Sequence, residues 1–272
     1  MSYGLALLTA LLGWWLSTGV ILYLNHLPTS TYRWSMGAAT LLLGTCLYTL
    51  PTVAADPGTA GVLLAFTQGL GIWAWLEMSY LMSFVTGPAA FACPPGTRGW
   101  RRFRLALGTS LYHELAVLLA GATVFALTWN ATNQVASWTF ATLWLMRWSA
   151  KLNLFLGVAN FHAEWLPEKL RYLSTYIQHK PMNLLFPVSI LLSTGVAIAL
   201  LLGHLSPTQG ASRLGDMLVC TLLLLAILEH WFLVLPLRDG VLWEWALRAD
   251  KVDKTLTKTT SLAAVDGSRF SP

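Results

Sequence analysis

Seven apolar runs, each long enough to cross a bilayer, constrain this chain more than any other feature. A crossing helix needs about 20 predominantly apolar residues. The runs lie near 4–24, 34–51, 61–85, 104–129, 135–157, 183–203 and 214–236. Breakers separate them: His26-Leu27-Pro28, Asp56-Pro57-Gly58, Gly87-Pro88, Cys93-Pro94-Pro95-Gly96 and Ser206-Pro207. Within the runs polar and apolar residues do not alternate, so barrel strands are excluded and α-helices remain. The sequence therefore predicts an all-α, polytopic membrane helix bundle with about seven transmembrane helices. Only 11% of the 272 residues are charged, against about 25% in a soluble domain. The first run has no basic region before it and no small-residue cleavage site after it, so it reads as a retained span.

Charge sets the expected orientation. Of the 17 lysines and arginines, all but Arg213 fall at the ends or in the connections on one side of the predicted bundle. The positive-inside rule then puts the N-terminus outside and the C-terminus in the cytoplasm. The formal net charge of +5 belongs to this asymmetry, which removes the case for nucleic-acid binding. The bundle domain spans 1–249. Residues 250–272, rich in Lys, Thr and Ser, are expected to form a disordered cytoplasmic tail. Cys46, Cys93 and Cys220 have no paired or metal-type spacing, and no disulfide is expected.

The stretch Lys151–Tyr176 breaks the apolar pattern. Asn153, Asn160, His162, Glu164, Glu168, Lys169 and Arg171 follow in close succession. Next to a span such groups are costly unless paired or wet. The reading is a span that enters a polar elbow, followed by an amphipathic interfacial helix near 167–178, with Pro167 in its first turn. The asparagines are expected to satisfy backbone groups where the span breaks.

Ionisable groups inside the spans supply the candidate site. Glu77, His113, Glu114, Arg147, Glu229 and His230 all fall roughly 10–15 Å inside the predicted cytoplasmic surface, at 1.5 Å per helical residue. Lys151, Asn153, Asn160, His162 and Glu164 lie just below. Three readings are open. In the first, Arg147 and Lys151 pair with Glu77 and Glu114, and the histidines hydrogen-bond within the bundle. In the second, Glu77, His113, Glu114, Glu229 and His230 ligate a metal, three carboxylates and two imidazoles being ligands that iron or zinc would take. The Glu-x-x-His spacing of helical di-iron bundles is absent, and the Glu–His pairs are adjacent instead. In the third, His113 or His230 is the axial ligand of a magnesium or haem tetrapyrrole packed by Trp, Phe and Leu. The 14 tryptophans, Trp14 and Trp148 among them, read mainly as packing or interface anchors. No nucleophile–base pair, phosphate loop or Cys-x-x-Cys occurs.

Several strings resemble one family. They are Glu77-Met78-Ser79-Tyr80, the loop Cys93-Pro94-Pro95-Gly96-Thr97-Arg98-Gly99-Trp100, Tyr112-His113-Glu114, the run Ala150–Val158, the run Leu166–Leu173, Pro181-Met182-Asn183-Leu184-Leu185-Phe186-Pro187 and Leu228-Glu229-His230-Trp231-Phe232. Together they resemble the PuhE-type photosynthetic complex assembly proteins of anoxygenic phototrophic bacteria, over about residues 1–250. The resemblance implies a bacterial inner-membrane factor. It would act in building reaction-centre or light-harvesting complexes, or in supplying bacteriochlorophyll to them. Its implied partners are the lipid bilayer, bacteriochlorophyll or a precursor, and photosynthetic complex subunits or other assembly factors. A membrane di-iron-like enzyme acting on a bacteriochlorophyll intermediate is the alternative, and a transporter is a further one.

Overall fold

The computed structural model describes residues 2–161, 166–207, 213–236 and 242–247. These residues form α-helices, short 3₁₀ stretches and connections, with one isolated bridge between Val158 and His179. The helices are α1 (Ser2–Asn25), α2 (Tyr32–Ala54), α3 (Thr59–Leu81), α4 (Gly99–Gly108), α5 (Leu111–Leu127), α6 (Val135–Leu156), α7 (Leu185–Leu201), α8 (Leu214–Phe232) and α9 (Glu244–Leu247). The all-α bundle is as the apolar runs predict.

The crossing count is smaller by length and composition. Among the described residues, four helical stretches are long and apolar enough to cross a membrane: Gly4–Asn25, Thr29–Ala54, Thr59–Leu81 and Leu214–Phe232. α4 and α5 make a fifth only if taken together. α7 has 17 residues, about 25 Å at 1.5 Å per residue, short of a bilayer core of about 30 Å. α6 has 22 residues, but Arg147, Lys151, Asn153 and its serines and threonines lower its hydropathy.

The long helices alternate in direction, and both ends of the bundle are tied. At the end opposite the polar elbow, Asn133 and Gln134 join three connections. The Asn133 amide N–H donates to Ala54 O (3.0 Å) and its side chain to Val53 O and Asp56 O, while Gln134 N–H donates to Pro207 O. The core between them is apolar, with Phe66, Ile72, Leu76, Phe140, Leu218 and Leu222 fully buried. α3 and α8 are the most enclosed spans, and α2 is the most peripheral.

The run 104–129, expected to be one span, contains a corner. α4 and α5 meet at 65° across Gly108–Ser110. Backbone groups freed at membrane depth must find protein partners, and the loop after α3 supplies them. Ala89 N–H donates to Gly108 O (3.1 Å), and His113 N–H donates to Thr86 O (3.0 Å). Gly87 lies so close that a Cβ there would stand 2.1 Å from Gly108 O. On α4, Arg101 and Arg104 are exposed but Arg102 is buried. Its guanidinium donates to Phe155 O and Tyr176 O and lies over the Phe155 ring. Arg102 thus caps the last turn of α6, where a cation and free carbonyls suit each other.

The expected amphipathic helix near 167–178 is a 3₁₀ helix, Glu168–Tyr176. Ser174 and Thr175 hydroxyls donate to the carbonyls of Arg171 and Tyr172, three residues back. Such local side-chain bonds compete with α-helical pairing. Lys169 and Arg171 are exposed, and Leu170 and Tyr176 are buried. Burial pushes the Tyr172 and Tyr176 phenols above their ordinary range. The Tyr176 hydroxyl donates to Phe91 O (3.2 Å). His162 and Glu164, and the expected tail at 250–272, lie outside the described residues.

Candidate functional site

α6 organises the site because its last three turns carry four polar residues at alternate positions. Helical residues four apart share a face, and residues two apart lie roughly 200° from each other. Arg147 and Lys151 therefore form one stripe, and Ser149 and Asn153 another.

The charged stripe meets α3 and α5. Arg147 Nε donates to Glu77 Oε1 (3.1 Å) and its Nη2 lies 3.0 Å from Glu77 Oε2, a two-pronged pair. Lys151 Nζ is 2.5 Å from Glu114 Oε1 and sits over the Tyr80 ring. The Trp148 indole donates to Glu114 Oε2 (2.7 Å), and the Ser110 hydroxyl donates to Glu114 Oε1 (3.3 Å). A lone charge at this depth would be expensive, and pairing removes most of that cost. The carboxylates are the enclosed partners, at 12% and 8% side-chain exposure. The cations are the open ones, with Arg147 at 33% and Lys151 at 25%.

The neutral stripe is closed. His230 Nδ1 faces Ala226 O (2.9 Å), so Nδ1 carries the proton, and Nε2 accepts from the Ser149 hydroxyl (2.9 Å). Asn153 is fully buried. Its Nδ2 donates to Ser149 O and to the Ser189 hydroxyl. The end of α6 is held from outside the helix. Asn183 Nδ2 donates to Asn153 O and Gly157 O, while its Oδ1 accepts from Leu185 and Phe186 at the start of α7. Asn160 does the same for α8, donating to Phe232 O and Leu235 O.

The candidate residues thus separate. Glu77, Arg147, Glu114 and Lys151 form two ion pairs on one stripe. His113 is buried against Tyr80, ring centroids 4.7 Å apart, and its Nδ1 has no hydrogen-bond partner among the described residues. Glu229 turns to α1, where the Trp14 indole donates to it at 2.7 Å. Among the described residues no three His, Cys, Asp or Glu side chains come together as a metal ion needs. The carboxylates are held by different cations and indoles, so this donor set does not fit the expected iron or zinc centre. Sequence reasoning missed Ser149, Asn183 and the donor roles of Trp14 and Trp148. An indole is a donor only, and in a membrane it needs an acceptor; that was the available signal.

Two cavities flank Arg147. The smaller, about 210 Å³, lies between α4, α6 and the Glu168–Tyr176 helix. Glu114, Arg147 and Lys151 lie on its floor, and Phe103, Leu107 and Phe155 are among its apolar walls. The larger, about 400 Å³, lies between α1, α3, α6 and α8. Glu77, Glu229 and His230 line it beside Trp14, Trp73 and Trp243. Both include Leu81, Arg147, Leu154, Phe161 and Leu166. Their sizes and mainly apolar linings match ligand pockets of about 300–1,000 Å³ when taken together.

A family model described as "Protein of unknown function (DUF3623)" matches residues 1–254. The chain belongs to the DUF3623 family. A curated relative of this DUF3623 protein is the "Uncharacterized 30.4 kDa protein in puhA 5'region" of Rhodobacter capsulatus. It is 37% identical over 248 residues, which cover 89% of this chain and 90% of the relative. No solved structure matches the DUF3623 chain. The ion pairs, both cavities and the corner at Gly108 all fall within the matched residues.

Proposed function

We propose that this DUF3623 protein is an integral membrane factor of the PuhE type, acting in assembly of photosynthetic reaction-centre and light-harvesting complexes. In this reading it holds a bacteriochlorophyll-type tetrapyrrole, or a precursor, in the paired cavities during supply to those complexes. The observation that carries the reading is the relative's place in the puhA 5′ region, which agrees with the PuhE-type strings in this sequence. The cavities support it, because aromatic and aliphatic walls with a few polar groups suit a flat apolar macrocycle. Axial ligation by His230 would require Nε2 to release Ser149. His113 offers a buried, unpartnered Nδ1, but the Tyr80 ring packs against it.

The same reading places the protein in the bacterial inner membrane, with seven crossings, the N-terminus outside and the elbow facing the cytoplasm. Alternation of the helices and the lysine and arginine bias support that placement. The metal-dependent enzyme is the weaker alternative, because Glu77, Glu114, Glu229 and His230 are engaged with separate partners. Deletion in a phototrophic host tests the assembly role. The expected outcome is a lower yield of pigment–protein complexes, read from membrane absorption spectra and gradient fractionation. Unchanged pigment composition and complex yield would overturn it.

A further inference from the structure

The smaller cavity has a floor whose cations use fewer than half of their donors. Arg147 has five N–H donors and Lys151 three. Arg147 spends Nε and one Nη2 proton on Glu77, and Lys151 spends one proton on Glu114. Among the described residues no acceptor meets Arg147 Nη1, and none besides Glu114 meets Lys151 Nζ. Both side chains line the cavity and are more open than the carboxylates that neutralise them. They stand one helical turn apart on the same stripe, about 6 Å along the axis, within joint reach of one small acceptor group.

We propose that this floor is a carboxylate site, and that the ligand is an amphiphile with one free carboxylate on an apolar body. Arg147 Nη1 and Lys151 Nζ would take the carboxylate in charge-assisted hydrogen bonds. The body would lie along the apolar walls and past Arg147 into the larger, tryptophan-lined cavity. Charge selects carboxylate over phosphate. Glu77, Glu114, Arg147 and Lys151 sum to zero and Glu229 adds a carboxylate across the larger cavity, so a monoanion adds one negative charge to a low-dielectric site and a phosphate dianion adds two. The inference rests on the reading that the cavities hold a ligand and narrows its class. For a tetrapyrrole it selects a chlorin whose propionate is free over one whose propionate is esterified.

The test uses the full chain in nanodiscs, titrated by tryptophan fluorescence quenching with pyropheophorbide a, its methyl ester, oleate and methyl oleate. The expected result is that pyropheophorbide a binds at least about tenfold tighter than its ester, the effect of a charge-assisted hydrogen bond. The double variant Glu77→Gln with Arg147→Gln leaves no lone carboxylate and should bring the acid most of the way down to the ester's affinity, Lys151 Nζ remaining. Glu114→Gln with Lys151→Gln provides the same readout should the first variant fail to fold. Equal affinity of acid and ester in the unaltered protein overturns the carboxylate site and leaves the pigment reading standing. Variant-sensitive binding of oleate over methyl oleate, without chlorin binding, upholds the carboxylate site and overturns the pigment reading. No binding of either acid overturns the inference.

Discussion

The two stripes of α6 sit on one helix, a few residues apart, and are built on opposite terms. Ser149 and Asn153 are neutral and enclosed and bond to partners on α7 and α8, with Asn153 Oδ1 left unpartnered among the described residues. Arg147 and Lys151 are charged, partly open and border the cavities. A neutral hydrogen bond between spans is ordinary glue worth about 1 kcal/mol. A pair of ions in the same place contributes little over an apolar pair and is punishing when halved. Stability alone therefore accounts for the first stripe and gives no reason for the second, which is why the second is the candidate site.

Substitutions can break this contrast in graded fashion. Glu114→Ala should be the most damaging, at about 3–5 kcal/mol, because it strands Lys151 and removes the acceptor of Trp148. Thermal unfolding in detergent measures it, and Glu114→Gln with Lys151→Gln should recover most of the loss. Asn183→Ala follows at about 1–3 kcal/mol, since it leaves buried carbonyls at the end of α6 without a donor. Ser149→Ala should cost about 1 kcal/mol by the same measurement and leave ligand titrations unchanged. If it weakens binding as much as the Arg147 variant does, the two stripes are not functionally distinct.

The smallest effect is in alkali. Tyr172 and Tyr176 have phenol pKa values raised by burial. Their contribution is complete below the unfolded value of about 10 and is lost as pH rises through the folded one. Melting temperature should fall above about pH 10, and less steeply in Tyr176→Phe.

The helical class and the polar layer were legible because both are written in residue type. Glu77, Glu114, Arg147 and Lys151 announce themselves in an apolar background, and their pairing is the first of the three readings the sequence left open. Hydropathy could not show the corner in 104–129. Gly108, Thr109 and Ser110 interrupt an apolar run too briefly to register, and what stabilises the bend is a loop some twenty residues earlier. Nor could spacing show that Glu229 accepts from Trp14 on α1, because adjacent residues on a helix point about 100° apart and only packing decides which one faces inward. Asn183 stands in the family-like string Pro181–Pro187, but its task at the end of α6 depends on a contact 26 residues away.

The corner also bears on which sequences could ever encode this shape. At position 87 any side chain would strike main-chain atoms of the bend, Gly108 O and Leu111 N, that no rotamer change can move aside. Gly37, Gly44 and Gly195 face open space. Across divergent descendants, position 87 should stay frozen as glycine while those three drift. A lineage that replaced it would have to straighten the span, and with it give up the wall that α4 provides to the smaller cavity.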